Sequence, residues 1–277
     1  RRFKLAFWGH GANLQSDRPG GVRERFKRWT TRQVDWWFAY TDMGAALVGA
    51  ASFPAARITV LNNAVDTSEL RRQCQSVEPE EAQALRASLG FGDGPVGIFV
   101  GSLYADKRLD FLFAAAERIR RVVPNFQLLL VGDGPEREAV RAWCDARAWA
   151  RWAGARFGRE KAACLKLADI MLNPGALGLG ILDAFACGVP VVMVEACKHG
   201  PEAAYLKPGV NGEVTIDDLG AYVHACVNLL GNPDRLDALR EGCEVSAGEY
   251  TIEHMAQRFA DGIERCLEAP RYEGRGA

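Results

Sequence analysis

The sequence predicts an α/β protein whose core is a doubly wound parallel sheet. Short apolar runs alternate with longer helical segments over most of the chain, which is typical of strands and helices arranged in βαβ units. The clearest unit lies at 168–194, where a buried strand, a Pro-Gly turn, a glycine-bearing loop, a helix and a second apolar strand follow one another. Such a unit implies parallel pairing and a right-handed crossover. With 48% hydrophobic and 25% charged residues, the composition is that of an ordinary globular protein.

The first 94 residues predict part of a sheet and a helical linker. We expect strands at 3–8, 38–40 and 57–61, a basic helix at 22–37 and a short helix at 45–51. The segment 65–94 is polar, charged and helical, and the glycines after Leu89 end it, so we place a domain boundary at residue 94. Because only about three strands are expected and the first residues already form one, 1–94 is interpreted as a partial α/β domain whose first half is absent, with its linker.

The residues after 94 alternate regularly, which predicts one complete Rossmann-like domain at 95–250 and a C-terminal helix and tail at 251–277 that packs back toward the first domain. Strands are expected at 96–100, 126–131, 153–157, 170–172, 189–194 and 213–215. Helices are expected at 109–123, 135–148, 160–167, 178–186, 217–230, 233–246 and 252–267.

Charge and cysteine usage narrow the possible partners and the compartment. The net charge of −1 gives no global field that would attract nucleic acid, so we expect no nucleic-acid partner. No apolar run reaches the roughly 20 residues of a membrane span, and no leader is visible. The eight cysteines include no C-x-x-C pair, which is typical of thiols in a reducing compartment, and we expect a cytoplasmic protein.

The segment 18–38 has two interpretations. It carries six basic residues and one acid up to Arg32, with Trp29, Trp36, Trp37 and Phe38 interleaved. One interpretation is a peripheral contact with anionic lipid at the inner face of the membrane. The other is a helix with a packed aromatic face and a solvated basic face.

The central unit predicts an anion site. Ligands of open α/β sheets lie outside the carboxyl ends of the strands, and a helix start offers free N–H groups and a positive dipole end. The helix predicted from Gly178 presents such a start, and Asp183 lies within it. We therefore interpret the unit as a site for phosphate and ribose.

Several stretches of the chain carry recognisable motifs. They are F-V-G-S-L-x-x-D-K-R-L-D (99–110), L-L-L-V-G-D-G-P-E-R (128–137), L-A-D-I-M-L-N-P-G (167–175), G-L-G-I-L-D-A-F-A-C-G-V-P-V-V (178–192), P-E-A-A-Y-L-K-P-G-V-N-G (201–212) and, upstream, I-T-V-L-N-N-A-V-D-T (58–67). Taken together, these stretches resemble the retaining glycosyltransferases of the GT-B fold, specifically family 4. The resemblance implies an α/β fold of GT-B type, in which 95–250 binds the nucleotide sugar and 1–94 is part of the acceptor-side domain.

The resemblance also implies roles in donor binding. Lys107 would contact the donor diphosphate as a catalytic cation, and Ser102 stands where the family has an arginine. Asp183 takes the position of an acid, usually Glu, that binds the ribose hydroxyls. Gly175 stands where the family has another acid, facing the donor sugar, so donor contacts are expected from the backbone N–H groups of Ala176, Leu177, Gly178 and Leu179.

Further residues are implied with looser matches. Gly132, with Gly134, would allow a close backbone approach to the nucleotide, and Arg156 and Phe157 lie where the family's loop meets the base. In the first domain, His10 would lie near the transferred sugar as a catalytic and acceptor-side residue, with Asn13 beside the acceptor. Glu202 resembles a family acid near the donor site, and serves equally well as an acid that favours a helix start.

These assignments predict a retaining glycosyltransferase that moves a sugar from a nucleoside-diphosphate donor to a hydroxyl acceptor on a glycan, a lipid-linked molecule or a small molecule. No metal or other cofactor is expected. The alternative is a degenerate, non-catalytic nucleotide-sugar-binding module, given Gly175 and the missing half-domain. A nicotinamide-dependent dehydrogenase is disfavoured, because 101–104 provides no glycine fingerprint after the first strand of the Rossmann-like domain.

Overall fold

A computed structural model of the chain describes residues 3–11 and 29–273. The strands are β1 (Ala6–Gly9), β2 (Trp36–Ala39), β3 (Ile58–Val60), β4 (Val96–Val100), β5 (Gln127–Val131), β6 (Ala150–Trp152), β7 (Ile170–Asn173), β8 (Val191–Val194) and β9 (Gly212–Thr215). The helices are α1 (Asp42–Ala50), α2 (Ser68–Gln75), α3 (Pro79–Ser88), α4 (Leu109–Val122), α5 (Arg137–Asp145), α6 (Gly158–Lys166), α7 (Gly180–Ala186), α8 (Leu219–Leu230), α9 (Pro233–Glu249) and α10 (Ile252–Glu268). Short 3₁₀ turns occur at Ala55–Arg57, Ala105–Lys107 and Pro201–Tyr205.

The fold is α/β with two separate parallel sheets, as the sequence predicts. The chain divides into two compact units. A smaller unit combines residues up to 65 with 200–204 and those from 249 onward, and a larger unit combines 66–199 with 205–248. Among the described residues, no helix has both the length and the apolar character that crossing a bilayer requires.

The smaller unit contains the sheet β1-β2-β3, with all neighbours parallel. α10 packs on β2 and β3, where the ring of Phe259 stacks on that of Phe38 at 4.4 Å between centroids. The guanidinium of Arg265 donates to Thr59 Oγ1 at 3.2 Å. These contacts group the C-terminal helix with the strands at the start of the chain.

The predicted helix at 22–37 extends too far at its C-terminal end, because its last two residues belong to a strand. Trp36 and Trp37 belong to β2 and are buried, with 2% and 7% exposure, so neither they nor the buried Phe38 can serve as an exposed aromatic face. Four consecutive apolar residues fit a strand that is covered on both sides, which a helical period does not explain. Trp29 is 57% exposed, and most of the segment 18–38 lies outside the described residues.

The larger unit contains the sheet β6-β5-β4-β7-β8-β9, again with all neighbours parallel. Every residue of β5, β7 and β8 is buried, as is usual for central strands covered on both faces. The chain proceeds outward in one direction from β4 and in the other from β7. The strand order therefore reverses between them, and ligands of doubly wound sheets bind at such a switch point.

The segment 66–94 belongs to the larger unit, where the sequence placed a linker. α2 and α3 pack against α6, and the Cys74 thiol donates to the carbonyl of Ala162 at 3.6 Å. Arg159 of α6 pairs with Glu81 of α3 at 2.5 Å. These contacts place the division between the units at residue 65, ahead of the boundary expected at 94.

The expected strand at 153–157 is displaced toward the N-terminus. β6 occupies Ala150–Trp152, and Gly154 has a φ of 72°, which ends the extended chain. Phe157 is consequently the N-cap of α6, and Arg156 lies in the connecting loop.

Candidate functional site

A cleft of about 340 Å³ lies at the carboxyl ends of β4 and β5 in the larger unit. Its lining comprises Val100, Gly101, Ser102, Val131, Gly132, Asp133, Ala155, Arg156, Phe157, Lys161 and Asp183. The structure thus brings together five residues that the sequence assigns to donor binding: Ser102, Gly132, Arg156, Phe157 and Asp183. They come from four separate βα connections and helices, which only this sheet order places side by side.

The floor of the cleft is formed by Gly101 and Gly132, which carry no side chains. A Cβ atom at Gly132 would lie 1.8 Å from the carbonyl oxygen of Gly101, so any side chain there would force β4 and β5 apart. The N–H of Gly101 donates to the Val131 carbonyl at 3.0 Å across the same gap. Gly132 is therefore required by the close approach of the two strand ends, and its N–H donates to the Gly154 carbonyl at 2.9 Å. Gly134 lies outside the lining and packs against Leu103 in the same way.

Asp183 forms an ion pair with Lys161 across one wall of the cleft. The two atoms Lys161 Nζ and Asp183 Oδ2 are 3.0 Å apart, and each side chain is 22% exposed. The pair is open enough to meet a ligand and fixes the direction of the carboxylate. Sequence reasoning missed Lys161, because its role depends on α6 lying beside α7, and nothing in its local pattern differs from an ordinary helix-surface lysine.

The mouth of the cleft carries one large exposed aromatic ring. Phe157 is 78% exposed, while Arg156 beside it pairs with Glu160 at 3.2 Å. An aromatic side chain with so little protein contact contributes little to folding, and its flat face is suited to stacking on a planar ring.

Lys107 lies next to the cleft floor on the 3₁₀ turn. A Cβ built on Gly101 would be 3.9 Å from its ammonium nitrogen, and that nitrogen donates to the carbonyl of Ala176. Burial lowers the pKa of Lys107, and the nearby Asp106 carboxylate partly opposes this effect. A partly desolvated ammonium with a neutral partner gains strongly from an approaching anion.

The loop 174–179 is held by hydrogen bonds that its backbone N–H groups donate to residues outside the loop. The N–H of Ala176 donates to the Asp106 carbonyl at 2.8 Å, and the N–H of Leu177 donates to Nδ1 of His199 at 3.1 Å. Two of the four N–H groups expected to contact the donor are thus engaged within the protein. The N–H groups of Gly178 and Leu179 have no acceptor among the described residues. No residue of the loop 174–179 belongs to the lining of the cleft.

Gly175 has no room for a side chain. A Cβ there would lie 2.3 Å from the carbonyl carbon of Lys107 and 2.4 Å from the carbonyl oxygen of Asp106. The position at which the family resemblance implies an acid is therefore filled by the backbone of the 3₁₀ turn. Local sequence alone gives no sign of this contact, which joins residues about 70 positions apart.

The remaining predicted residues belong to the smaller unit or lie outside the description. His10 is exposed, follows the carboxyl end of β1, and makes an edge contact with the ring of Tyr40 at 4.5 Å between centroids. Asn13 lies outside the described residues. Glu202 is 4% exposed and accepts a hydrogen bond from Asn63 Nδ2 at 2.6 Å, which makes it a buried partner of the 60–65 segment.

Across the part of the chain that the structure describes, no three His, Cys, Asp or Glu side chains group in a way that could hold a metal ion. The expectation that no metal or cofactor takes part stays a prediction.

Comparisons with known proteins identify the family of the chain. The family model described as glycosyl transferases group 1 matches residues 94–232, about half of the chain. The chain is 30% identical over 200 residues to the GDP-mannose-dependent alpha-(1-6)-phosphatidylinositol monomannoside mannosyltransferase of Mycolicibacterium smegmatis, covering 67% of this chain and 50% of that protein. It is 24% identical to the alpha-monoglucosyldiacylglycerol synthase of Acholeplasma laidlawii, covering 66% of this chain and 46% of that protein.

Among solved structures, the fold is similar to that of Anabaena Alr3699/HepE in complex with UDP. The TM-score is 0.76 at 18% identity, with 95% of this chain and 72% of that chain covered. The chain spans about half the length of the curated relatives it matches. The matched segment contains β4 to α8 and every residue that lines the cleft, and on these grounds the chain belongs to the glycosyl transferases group 1 family.

Proposed function

We propose that the chain carries the donor-binding half of a retaining, family 4 type glycosyltransferase, which moves a sugar from a nucleoside-diphosphate donor to a hydroxyl acceptor. One observation carries the proposal. One cleft at the carboxyl ends of β4 and β5 combines a floor of two glycines, the carboxylate of Asp183 and an exposed aromatic ring, and the ammonium of Lys107 lies beside that floor.

Each part of a nucleoside diphosphate has a partner of matching chemistry here. Phe157 would stack on the base, and Asp183, oriented by Lys161, would accept hydrogen bonds from the ribose hydroxyls. Lys107 and the N–H groups of Gly178 and Leu179 would face the diphosphate. The negative charge that develops on the leaving diphosphate would be stabilised by these preorganised donors, as electrostatic catalysis requires.

Neither acid of the cleft lining is an obvious nucleophile, which fits a retaining mechanism without a covalent glycosyl-enzyme. Asp183 is paired with Lys161, and Asp133 accepts the N–H of Gly134 at 2.7 Å. Neither carboxylate is placed as the second member of a pair that flanks a scissile bond, as glycosidases need. The leaving phosphate itself would then take the acceptor proton on the same face of the sugar.

The acceptor is proposed to be lipid-linked. The Mycolicibacterium relative is named for a phosphatidylinositol mannoside and the Acholeplasma relative for a glucosyldiacylglycerol. We propose accordingly that the protein works in the cytoplasm at the inner membrane face, with the basic residues between Arg18 and Arg32 as a candidate contact. His10 and Asn13 are proposed to serve the acceptor side.

A second candidate is a nucleotide-sugar-binding module without catalysis. The filled space at Gly175 favours it, because no side chain at this position can contact the donor sugar.

Calorimetric titration of the chain with UDP, GDP and NADH tests the donor site. We expect saturable binding of one nucleoside diphosphate and none of NADH. Lys107→Ala and Asp183→Asn should each weaken binding by about 1 kcal/mol or more, as for lost charge-assisted hydrogen bonds. Lys166→Ala is the control, since Lys166 lies on α6 away from the cleft lining.

Absence of binding to either diphosphate would contradict the proposal. Binding without hydrolysis or transfer of the matching nucleotide sugar would favour the non-catalytic module.

A further inference from the structure

His199 lies outside the cleft lining, yet both of its ring nitrogens are hydrogen-bonded. Nε2 is 2.7 Å from the carbonyl oxygen of Val194, and Nδ1 receives the N–H of Leu177 at 3.1 Å. A carbonyl oxygen can only accept, so Nε2 carries the proton. The ring is then neutral, with Nδ1 as the acceptor, and the two contacts together require this one tautomer.

These two bonds connect the end of β8 to the loop 174–179. Leu177 is 4% exposed, and its neighbour Ala176 donates its N–H to Asp106 and accepts the ammonium of Lys107 at its carbonyl. The Ala176 carbonyl and the Leu177 N–H belong to one peptide group, so His199 and Lys107 bind the same peptide unit. A shift of the loop would move the ammonium that faces the cleft floor.

The charges around the ring keep it neutral. Burial lowers the pKa of His199, and the ammonium of Lys107 acts in the same direction, while the hydrogen bonds to backbone carbonyls oppose them. Other charged or titratable groups on the segments that meet here are Asp106 on the 3₁₀ turn, Glu195, Cys197 and Lys198 on the segment of His199 itself, and the pair of Arg108 with Asp217 at 2.6 Å. Protonation would place a second N–H opposite that of Leu177 and remove its acceptor.

We propose that His199 is a positioning residue of the donor site, whose neutral ring holds the Leu177 N–H and thereby fixes the loop 174–179 and Lys107 for the donor diphosphate. The inference rests on the proposed function for its effect on donor binding. The contact itself can be tested without any ligand.

Three substitutions separate the two bonds of the ring. His199→Ala removes both. His199→Asn keeps an amide oxygen near the position of Nδ1 and so an acceptor for Leu177, whereas His199→Gln reaches toward Val194 instead. With UDP and GDP as probes, we expect the Ala variant to bind the preferred diphosphate about five- to tenfold more weakly, as for one lost hydrogen bond to a buried group. The Asn variant should recover most of this loss and the Gln variant less.

A pH series from 5 to 8 provides a readout that packing alone would not change. The diphosphate titrates equally in every variant, so the difference between wild type and His199→Asn isolates the ring. We expect wild-type binding to fall more steeply as the pH drops below the pKa of an ordinary histidine, since protonation removes the acceptor. Parallel profiles, or equal binding by the Ala and Asn variants, would overturn the proposal.

Amide hydrogen exchange of Leu177, measured by NMR without ligand, distinguishes the two possible failures. Protection in wild type and His199→Asn but not in His199→Ala supports the positioning contact even if no diphosphate binds, an outcome that would reject the proposed function alone. Equal exchange of Leu177 in folded wild type, His199→Asn and His199→Ala would reject the inference, and the proposed donor site would not be affected by that result.

Discussion

At Gly175 a single missing Cβ atom allows two distant turns to touch. Gly175→Ala should displace the 3₁₀ turn that carries Lys107, because the new atom would overlap backbone that cannot rotate away. We expect a loss of about 1–3 kcal/mol in the free energy of unfolding, as for overpacking, together with weakened diphosphate binding. Urea unfolding and calorimetry measure the two effects.

Gly92→Ala is the matched control, since Gly92 lies in the same unit, has no positive φ, and has no atom within 4 Å of where the added methyl group would stand. Gly175→Glu should lower the free energy of unfolding and weaken diphosphate binding at least as much as Gly175→Ala does. Recovery of tighter donor binding by the Glu variant would show that the turn yields readily and that the carboxylate alone is missing.

The ring of Phe157 offers a test in which ligand binding and stability separate. Because the side chain is 78% exposed, Phe157→Ala should leave the melting temperature nearly unchanged. Loss of a base-stacking partner should weaken nucleotide binding by about 1–3 kcal/mol. Val245→Ala, at a site 72% exposed on α9, controls for removal of an exposed apolar side chain. Unchanged nucleotide affinity in Phe157→Ala would contradict the proposal that the base stacks on Phe157.

The residues of the cleft differ in how far sequence could predict them. Asp183 and Ser102 stand at recognisable motif positions, and the structure places both in the lining. Lys161 carries no local signal, because its contact with Asp183 spans 22 residues and arises from helix packing. The engagement of the Leu177 N–H could not be foreseen either, since it depends on a histidine that follows the next strand.

Among the elements, α10 depends on one glycine for its contact with the small sheet. A Cβ at Gly262 would lie 2.5 Å from Phe38 Cε1 and 2.6 Å from Thr59 Oγ1. Gly262→Ala should therefore cost about 1–3 kcal/mol of unfolding free energy despite the better helix propensity of alanine. Chemical denaturation followed by tryptophan fluorescence measures it, because Trp36 and Trp37 lie in the adjoining strand.

Gly49→Ala in α1 is the matched control in the same unit, where no atom lies within 4 Å of the added methyl group. It should be neutral or slightly stabilising. If both alanine variants were equally stable, the close approach of α10 to β2 and β3 would be disproved.

Elements with a strong apolar period were predicted well, and those with a mixed signal were not. The strands β4, β5, β7 and β8 are short buried runs bounded by turns, and the sequence places each within about three residues. β6 was misplaced because Ala150–Trp152 alternates apolar and charged residues next to a helix end. Trp36 and Trp37 were assigned to a helix because the basic residues before them continue a helical pattern.

For the whole molecule, the composition of the two units leads to a truncation test. Removal of residues 249–277 takes α10 away from β2 and β3, including the ring of Phe259 and the hydrogen bond from Arg258 to the Leu61 carbonyl at 3.3 Å. Hydrogen exchange should then show lost protection in β2 and β3, while β4, β5 and β7 stay protected. Diphosphate binding should persist, since the cleft belongs to the other unit.

The control is removal of 274–277 alone, which keeps α10 and the ring of Tyr272 that packs against Phe53. Simultaneous loss of protection in β4 and β5 after the longer deletion would mean that the two units do not fold independently of each other.

The grouping of α10 with β2 and β3 also has a consequence for synthesis on the ribosome. The strands of the smaller sheet are translated first, but the helix that covers them begins at Ile252, about 190 residues after Val60. At translation rates of about 5–20 residues per second, the surface formed by Trp36, Phe38 and Thr59 is without α10 for roughly 10–40 seconds. The middle of the chain can complete its own sheet during that interval. The smaller unit is then completed after the larger one, although its strands are translated earlier.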